Sequence, residues 1–131
     1  MPWNWNETSM IKLLLVDDQP SVRMGLRMRL SLESDVTIVG EAGDGEAALS
    51  LAQTLHPDVI IMDVQMPHMD GISATAALRT LAPQSSVVLL SLYDDAVTRA
   101  RGQAAGALAF VQKQGTMDAL LTAIRGARPL N

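Results

Sequence analysis

Ile11-Lys12-Leu13-Leu14-Leu15-Val16-Asp17-Asp18-Gln19-Pro20 is a short apolar run that stops at two carboxylates and a proline. The run is too short for a helix and suits a buried strand, and Pro20 suits the first turn of a helix. Val22, Leu26 and Leu30 then recur at helical spacing, with Arg23 and Arg27 on another face. The same layout repeats down the chain. Val36–Val39 leads into the turn Gly43-Asp44-Gly45, and Ala48, Leu51, Ala52 and Leu55 follow as a helical stripe. Val59–Met62 ends at Asp63, and Asp70-Gly71 opens a helix that runs to Leu81, closed by Pro83. Val87–Leu90 ends at Ser91, and Asp94 or Asp95 caps a helix running towards Gly106. Ala109–Val111 leads to Lys113, and Thr116 caps a last helix with the stripe Met117, Leu120, Leu121 and Ile124. Five strands alternating with five helices, each connection long enough for a crossover, predict an α/β domain with a doubly wound parallel sheet.

Composition agrees with a single domain of this kind. The chain has 131 residues, 48% hydrophobic and 18% charged, which excludes disorder throughout. Trp3, Trp5, Tyr93 and Phe110 are its only aromatic residues, so the core must be aliphatic. The absence of cysteine removes disulfides, thiolate zinc sites and a cysteine nucleophile together. His56 and His68 are too few and too separated for a transition-metal cluster, and they read as a helix-end and a loop residue. The eight methionines read as core filling and exposed scatter. A net charge of −4 argues against binding nucleic acid through a basic face. No apolar run is long enough to span a membrane, and the first residues lack the layout of a signal peptide. The expected setting is cytoplasmic. Residues 1–9 read as a disordered tail, 10–128 as the domain and 129–131 as the start of a linker.

Polar groups just past strand ends converge on one edge of a parallel sheet, where ligands bind. Here those groups are Asp17, Asp18, Asp63, Ser91 and Lys113. Singly, each has an ordinary explanation; jointly, at the ends of four strands of one sheet, they mark a shared site. The three carboxylates and the lysine sum to −2, and two carboxylates about 4 Å apart repel by about 4 kcal/mol at a surface-like dielectric. Either one stays protonated or a divalent cation sits among them. With only oxygen donors that cation is hard, and magnesium fits best, with manganese as a substitute. Asp63 is then a nucleophile forming an acyl phosphate, with Lys113 paired to the transferred group.

At these residues the chain resembles the receiver domain of bacterial two-component response regulators. The resemblance rests on Asp17-Asp18, on Met62-Asp63-Val64-Gln65-Met66-Pro67 followed by Asp70-Gly71, on Ser91, and on Gly106-Ala107-Leu108-Ala109-Phe110 leading to Lys113. It covers Ile11 to Ala127. It implies a flavodoxin-like sheet of strand order 2-1-3-4-5 and a phosphoryl group passed from a sensor histidine kinase to Asp63. It further implies magnesium held by Asp17 (through water), Asp18, Asp63 and the backbone carbonyl of Gln65. Ser91 would hydrogen-bond the phosphoryl group, Lys113 would form a salt bridge to it, and Phe110 would turn inward when the hydroxyl shifts. The surface of the fourth helix, fifth strand and fifth helix would report the change.

Val39-Gly40-Glu41-Ala42, Gly43-Asp44-Gly45 and His56-Pro57-Asp58-Val59 resemble the NarL/FixJ (LuxR-type) subgroup. That implies a phosphorylation-dependent homodimer and control of a DNA-binding domain absent from this chain; the alternative is a receiver that acts alone. Two positions depart from the family pattern. Gln114 stands where a proline usually follows the lysine, and Leu92 stands where a small residue follows the hydroxyl. Leu92 is read either as a gate over Asp63 or as a core residue beneath the fourth helix. Two rival functions fare worse. A phosphatase with an aspartyl nucleophile typically has a second aspartate where Gln65 stands. A flavin or nucleotide carrier needs a phosphate loop where Asp17-Asp18-Gln19-Pro20 would repel phosphate.

Overall fold

The computed structural model describes residues 10–129; the expectation for residues 1–9, and those for Leu130 and Asn131, lie outside the described residues. The elements follow in order β1 (Ile11–Val16), α1 (Pro20–Leu30), β2 (Val36–Ala42), α2 (Gly45–Leu55), β3 (Val59–Asp63), α3 (Gly71–Leu81), β4 (Ser86–Ser91), α4 (Ala96–Ala105), β5 (Ala109–Gln112) and α5 (Met117–Ala127). All strand pairs are parallel, and the sheet order is β2-β1-β3-β4-β5. The predicted doubly wound, flavodoxin-like architecture is therefore observed.

Strand alternation sorts the apolar residues onto two faces. Leu14, Val16, Ile60, Met62 and Leu89 pack with Ala48 and Ala52 of α2, Ile72 and Leu78 of α3 and Ala105 of α4. Leu13, Leu15, Ile61, Val88 and Leu90 pack with Leu30 of α1 and with Leu120, Leu121 and Ile124 of α5. Burial on both faces explains why β1, apart from the exposed Lys12, and the cores of β3 and β4 read as continuous apolar runs. Met117 of the predicted α5 stripe is only partly buried.

Helix starts are set by local capping. The carboxylates of Asp44, Asp70 and Asp95 accept hydrogen bonds from the backbone N–H groups of Ala47, Ser73 and Thr98, at 2.8, 2.7 and 2.7 Å. The Thr116 hydroxyl accepts from Ala119 at 3.0 Å. Each such cap contributes about 1 kcal/mol. Of the two candidates for α4, Asp95 is the cap, while Asp94 pairs with Arg99. His56 ends α2 in the left-handed region (φ 50°), and His68 adopts it in the β3–α3 loop (φ 70°).

β2 runs beyond the expected Val39 to Ala42. Leu13 pairs with Ile38 but Leu14 pairs with Gly40, so Val39 is the extra residue of a bulge, and the ladder resumes past it to Val16 and Ala42. A Cβ at Gly40 would lie 2.7 Å from Leu55 Cδ1 and 3.3 Å from Leu14 Cδ1, so a side chain here would require these leucine ends to shift. β3 and β4 likewise include Asp63 and Ser91 as their last residues.

Candidate functional site

The carboxyl ends of β1, β3 and β5 bring three charged side chains into contact. Asp17, immediately after β1, and Asp63, at the end of β3, are both buried, at 1% and 4% exposure. Lys113 follows β5 and is fixed there because its N–H donates to the Ser91 carbonyl at 2.7 Å. Its ammonium lies 2.7 Å from Asp17 Oδ2 and 3.0 Å from Asp63 Oδ2. Asp17 Oδ1 accepts from the Gln19 N–H at 2.9 Å, and Asp63 Oδ1 from the Gln65 N–H at 3.3 Å. Asp18 is exposed and faces the same corner.

Burial pushes the Asp63 carboxyl above its usual range; hydrogen bonding from Lys113 opposes this and the charge of Asp17 reinforces it. Burial alone would lower the Lys113 ammonium, but its bonds to Asp17 and Asp63 outweigh that and raise it. The lysine therefore stays charged, and the two buried acids share one cation. The expected choice between a protonated carboxylate and a divalent cation gains a third element, an ammonium that already bridges the pair.

A metal fits beside it. Asp17, Asp18 and Asp63 each offer a carboxylate oxygen within 4.8 Å of the others. Two oxygens bound directly to one magnesium lie at most about 4.2 Å apart, so the trio needs to close slightly or to hold one ligand through water. The donor set supports this reading, since three carboxylates with no nitrogen or sulfur ligand suit a hard cation. Asp17 Oδ2 is buried with no hydrogen-bond partner and lies 2.7 Å from the Lys113 ammonium, so a metal would share that oxygen with the lysine.

The corner opens into a cleft of about 880 Å³ lined by Asp18, Asp63, Gln65, Leu92, Arg101 and Lys113, among others. Leu92 is 47% exposed on its wall, so the alternative in which it packs beneath α4 is excluded. The Ser91 hydroxyl is buried and turned to its own loop. It donates to the Tyr93 carbonyl at 2.8 Å and accepts from the Tyr93 N–H at 3.1 Å. Phe110 is away from the cleft, half-buried on the α4 side of the sheet, with the Arg99 guanidinium 4.8 Å above its ring. The Lys113–Gln114 bond is trans.

Two features go beyond the sequence reading: the reason for Gly71, named only as part of the motif, and the place of Arg101. Gly71 opens α3 against the backbone of β3: its N–H donates to the Val64 carbonyl at 2.8 Å, and a Cβ there would lie 2.2 Å from the Asp63 carbonyl oxygen. Arg101 lines the cleft together with Thr98. The signal for it was available, because Thr98 and Arg101 lie one turn apart, following the Asp95 cap.

The family model described as the response regulator receiver domain matches residues 13–125. The transcriptional regulatory proteins YxjL and LiaR of Bacillus subtilis are 40% and 42% identical over 89% and 90% of this chain. The match takes up 54% and 56% of their own lengths, so the chain spans about half of each. Among solved structures, the signal receiver domain of NarL from Mycobacterium tuberculosis is similar with a TM-score of 0.83 at 35% identity, over 90% of this chain and 98% of that one.

Proposed function

The chain belongs to the response regulator receiver family and is similar to its NarL/LuxR-type members, and on that premise we propose that Asp63 is its phosphoacceptor. The carrying observation is the corner in which Asp63 is buried against Asp17 and Lys113 yet opens onto a cleft. A sensor histidine kinase supplies the phosphoryl group. Oδ of Asp63 attacks phosphorus, the bond from phosphorus to the histidine nitrogen breaks, and the imidazole leaves. Asp17, Asp18, Asp63 and the backbone carbonyl of Gln65 would hold magnesium, or manganese in its place. When bound, the cation would offset the carboxylates and stabilise charge on the phosphoryl oxygens.

Lys113 has two tasks in sequence. Before transfer its ammonium contacts both buried acids; afterwards Asp63 has lost its charge, and the ammonium is free to pair with the phosphoryl group. The Ser91 hydroxyl must release the Tyr93 carbonyl to donate to that group, which couples phosphorylation to the β4–α4 loop. Phe110 follows, turning inward as the hydroxyl moves. A phosphoryl contact made in only one of two conformers biases their equilibrium by about 1–3 kcal/mol.

Leu92 on the cleft wall gates both donors and attacking water. The output is self-association of the phosphorylated form, controlling a DNA-binding domain outside this chain; the names and lengths of YxjL and LiaR support that reading. A receiver that works alone through protein contacts would use the same site. Turnover of an external phosphate ester is disfavoured by Gln65, which cannot act as acid or base. Among the described residues, no helix is long and apolar enough to cross a membrane, in keeping with a cytoplasmic role.

Acetyl phosphate with magnesium should add one phosphate, mapped to Asp63 by mass spectrometry and lost in Asp63→Ala. Undiminished phosphate on another residue of that variant would overturn the assignment. Beryllofluoride, which mimics the labile phosphoryl group, should shift sedimentation towards a dimer at tens of micromolar protein. An unchanged sedimentation coefficient would mean that the output is not dimerisation.

A further inference from the structure

α4 carries two arginines with different surroundings. Arg99 lies over the ring of Phe110 and pairs with Asp94. Arg101, two residues on, is turned about 200° around the helix. It reaches the other side, where it lines the acidic cleft one turn after Thr98. It is exposed and, among the described residues, its guanidinium makes no ion pair or hydrogen bond. The other cation on the cleft wall, Lys113, is already shared between Asp17 and Asp63.

Charge decides what an uncommitted guanidinium does there. Asp18, Asp63 and Asp70 line the cleft and Asp17 lies beneath it. Ionised, these four outweigh Lys113 and Arg101 together by two charges. A divalent cation brings the cleft to neutrality, and a phosphodonor that arrives as a dianion then meets no net attraction. Without Arg101 the same count leaves one negative charge that repels the donor, so the guanidinium on one wall removes that repulsion, and its geometry matches phosphoryl oxygens.

We infer that Arg101 is the anion-recruiting residue of this cleft, drawing the donor's phosphoryl group in from the α4 side before transfer to Asp63. This rests on the reading of Asp63 as phosphoacceptor. The shared chemistry is a phosphoryl dianion, carried either by a small acyl phosphate or by a phosphohistidine on a protein. With acetyl phosphate, Asp63 Oδ bonds to phosphorus, the bond from phosphorus to the acetate oxygen breaks, and acetate leaves with the electron pair. Arg101 takes part in no bond change; its role is confined to capture.

The test compares initial phosphorylation rates of wild type, Arg101→Gln, Arg101→Lys and Arg101→Glu at saturating magnesium, read by intact-protein mass spectrometry. Acetyl phosphate, phosphoramidate and a phosphorylated kinase histidine domain serve as donors. With both small donors, Arg101→Gln should lower the second-order rate about three- to tenfold at low salt. That is the size expected for one charge acting on a dianion across about 8–10 Å of water. Arg101→Glu should lose more, Arg101→Lys should keep most of the rate, and the spread should collapse at high salt. The maximal rate at saturating donor should hold, placing the loss in apparent KM. Equal urea melts would show that the variants fold alike.

Equal small-donor rates in wild type and Arg101→Gln would overturn the inference while leaving Asp63 in place. A loss seen only with the protein donor would also overturn it, assigning Arg101 to a protein contact. Wild type that gains no phosphate on Asp63 would remove the underlying reading and this one with it.

Discussion

Gly71→Ala and Gly25→Ala are the same chemical change inside helices, and the structure gives them opposite signs. Gly25 lies within α1, where an added Cβ would meet nothing within 4 Å. Alanine there removes backbone entropy from the unfolded chain and should stabilise by about 0.5–1 kcal/mol. Gly71 is the first residue of α3, and its Cβ would stand 2.2 Å from the Asp63 carbonyl oxygen, 3.0 Å from its carbon and 3.1 Å from Val64 Cα. All three are backbone atoms, so no rotamer relieves the overlap, and the helix must retreat from β3 by about 1 Å. Overpacking of that kind costs about 1–3 kcal/mol. Loss of the 2.8 Å bond from the Gly71 N–H to the Val64 carbonyl adds about 1 kcal/mol. Gly71 is not in the left-handed region, so strain does not contribute. The two variants should therefore differ by about 2.5–5 kcal/mol in urea melts, and by about 10–20 °C in Tm at roughly 4 °C per kcal/mol. Magnesium affinity should fall only in Gly71→Ala, because the atoms pushed belong to Asp63 itself. Melts that agree within about 0.5 kcal/mol would show that the close approach is not a constraint.

Leu92→Ala should cost less than about 1 kcal/mol because the side chain is half exposed, yet speed both acetyl phosphate labelling and loss of the label several-fold in stopped-flow assays; unchanged rates would refute the gate. Asp63→Asn should stabilise the metal-free protein at pH 7. A carboxyl raised by burial contributes stability below its unfolded pKa near 3.8, and loses it as pH rises through the folded value. The gap between variant and wild type should widen with pH over that window and shrink when magnesium is added; a less stable variant at neutral pH would contradict it. Asp35 has the reverse sign: its hydrogen bond from Arg125 holds its pKa down, so the stability it lends is present above pH 3.8 and disappears as pH falls through the folded value. Melts of Asp35→Asn should accordingly show a small deficit at pH 7 and none in strong acid, whereas a deficit independent of pH would point to packing. Asp18→Ala should weaken magnesium binding markedly in isothermal titration, and undiminished affinity would place the metal elsewhere.

What the sequence disclosed follows from how local each signal is. β1, β3 and β4 are legible because burial on both faces makes their centres almost wholly apolar, and the capping groups of α2, α3, α4 and α5 act within three residues of themselves. Asp17, Asp63 and Lys113 were legible as a set because a parallel sheet sends its strand ends to one edge. The far half of β2 was not, since Gly40 and Glu41 break the apolar pattern and only the bulge at Val39 restores pairing with β1. The ammonium bridge across both acids and the Ser91 hydroxyl turned to Tyr93 are tertiary facts that no spacing encodes. Gly71 stood in the quoted motif, but its reason is a backbone approach of 2.2 Å visible only after folding. Arg101 looked like any solvated charge on α4 until the cleft gave it neighbours.

The crossover topology also bears on how the molecule comes into being. No two neighbouring strands are joined by a hairpin; Leu13 finds its partner at Val59, and Val59 finds its other partner at Ser86. Pairings this distant in sequence form slowly, and until they form the apolar runs of β1, β3 and β4 remain open edges. During synthesis β1 can align with β2 early, but its other side stays unprotected until β3 emerges. The acidic corner is later still, because its charges come from the first, third and fifth strands. A nascent chain thus carries two buried-to-be carboxylates without their lysine until β5 docks, so the corner completes only when the sheet does.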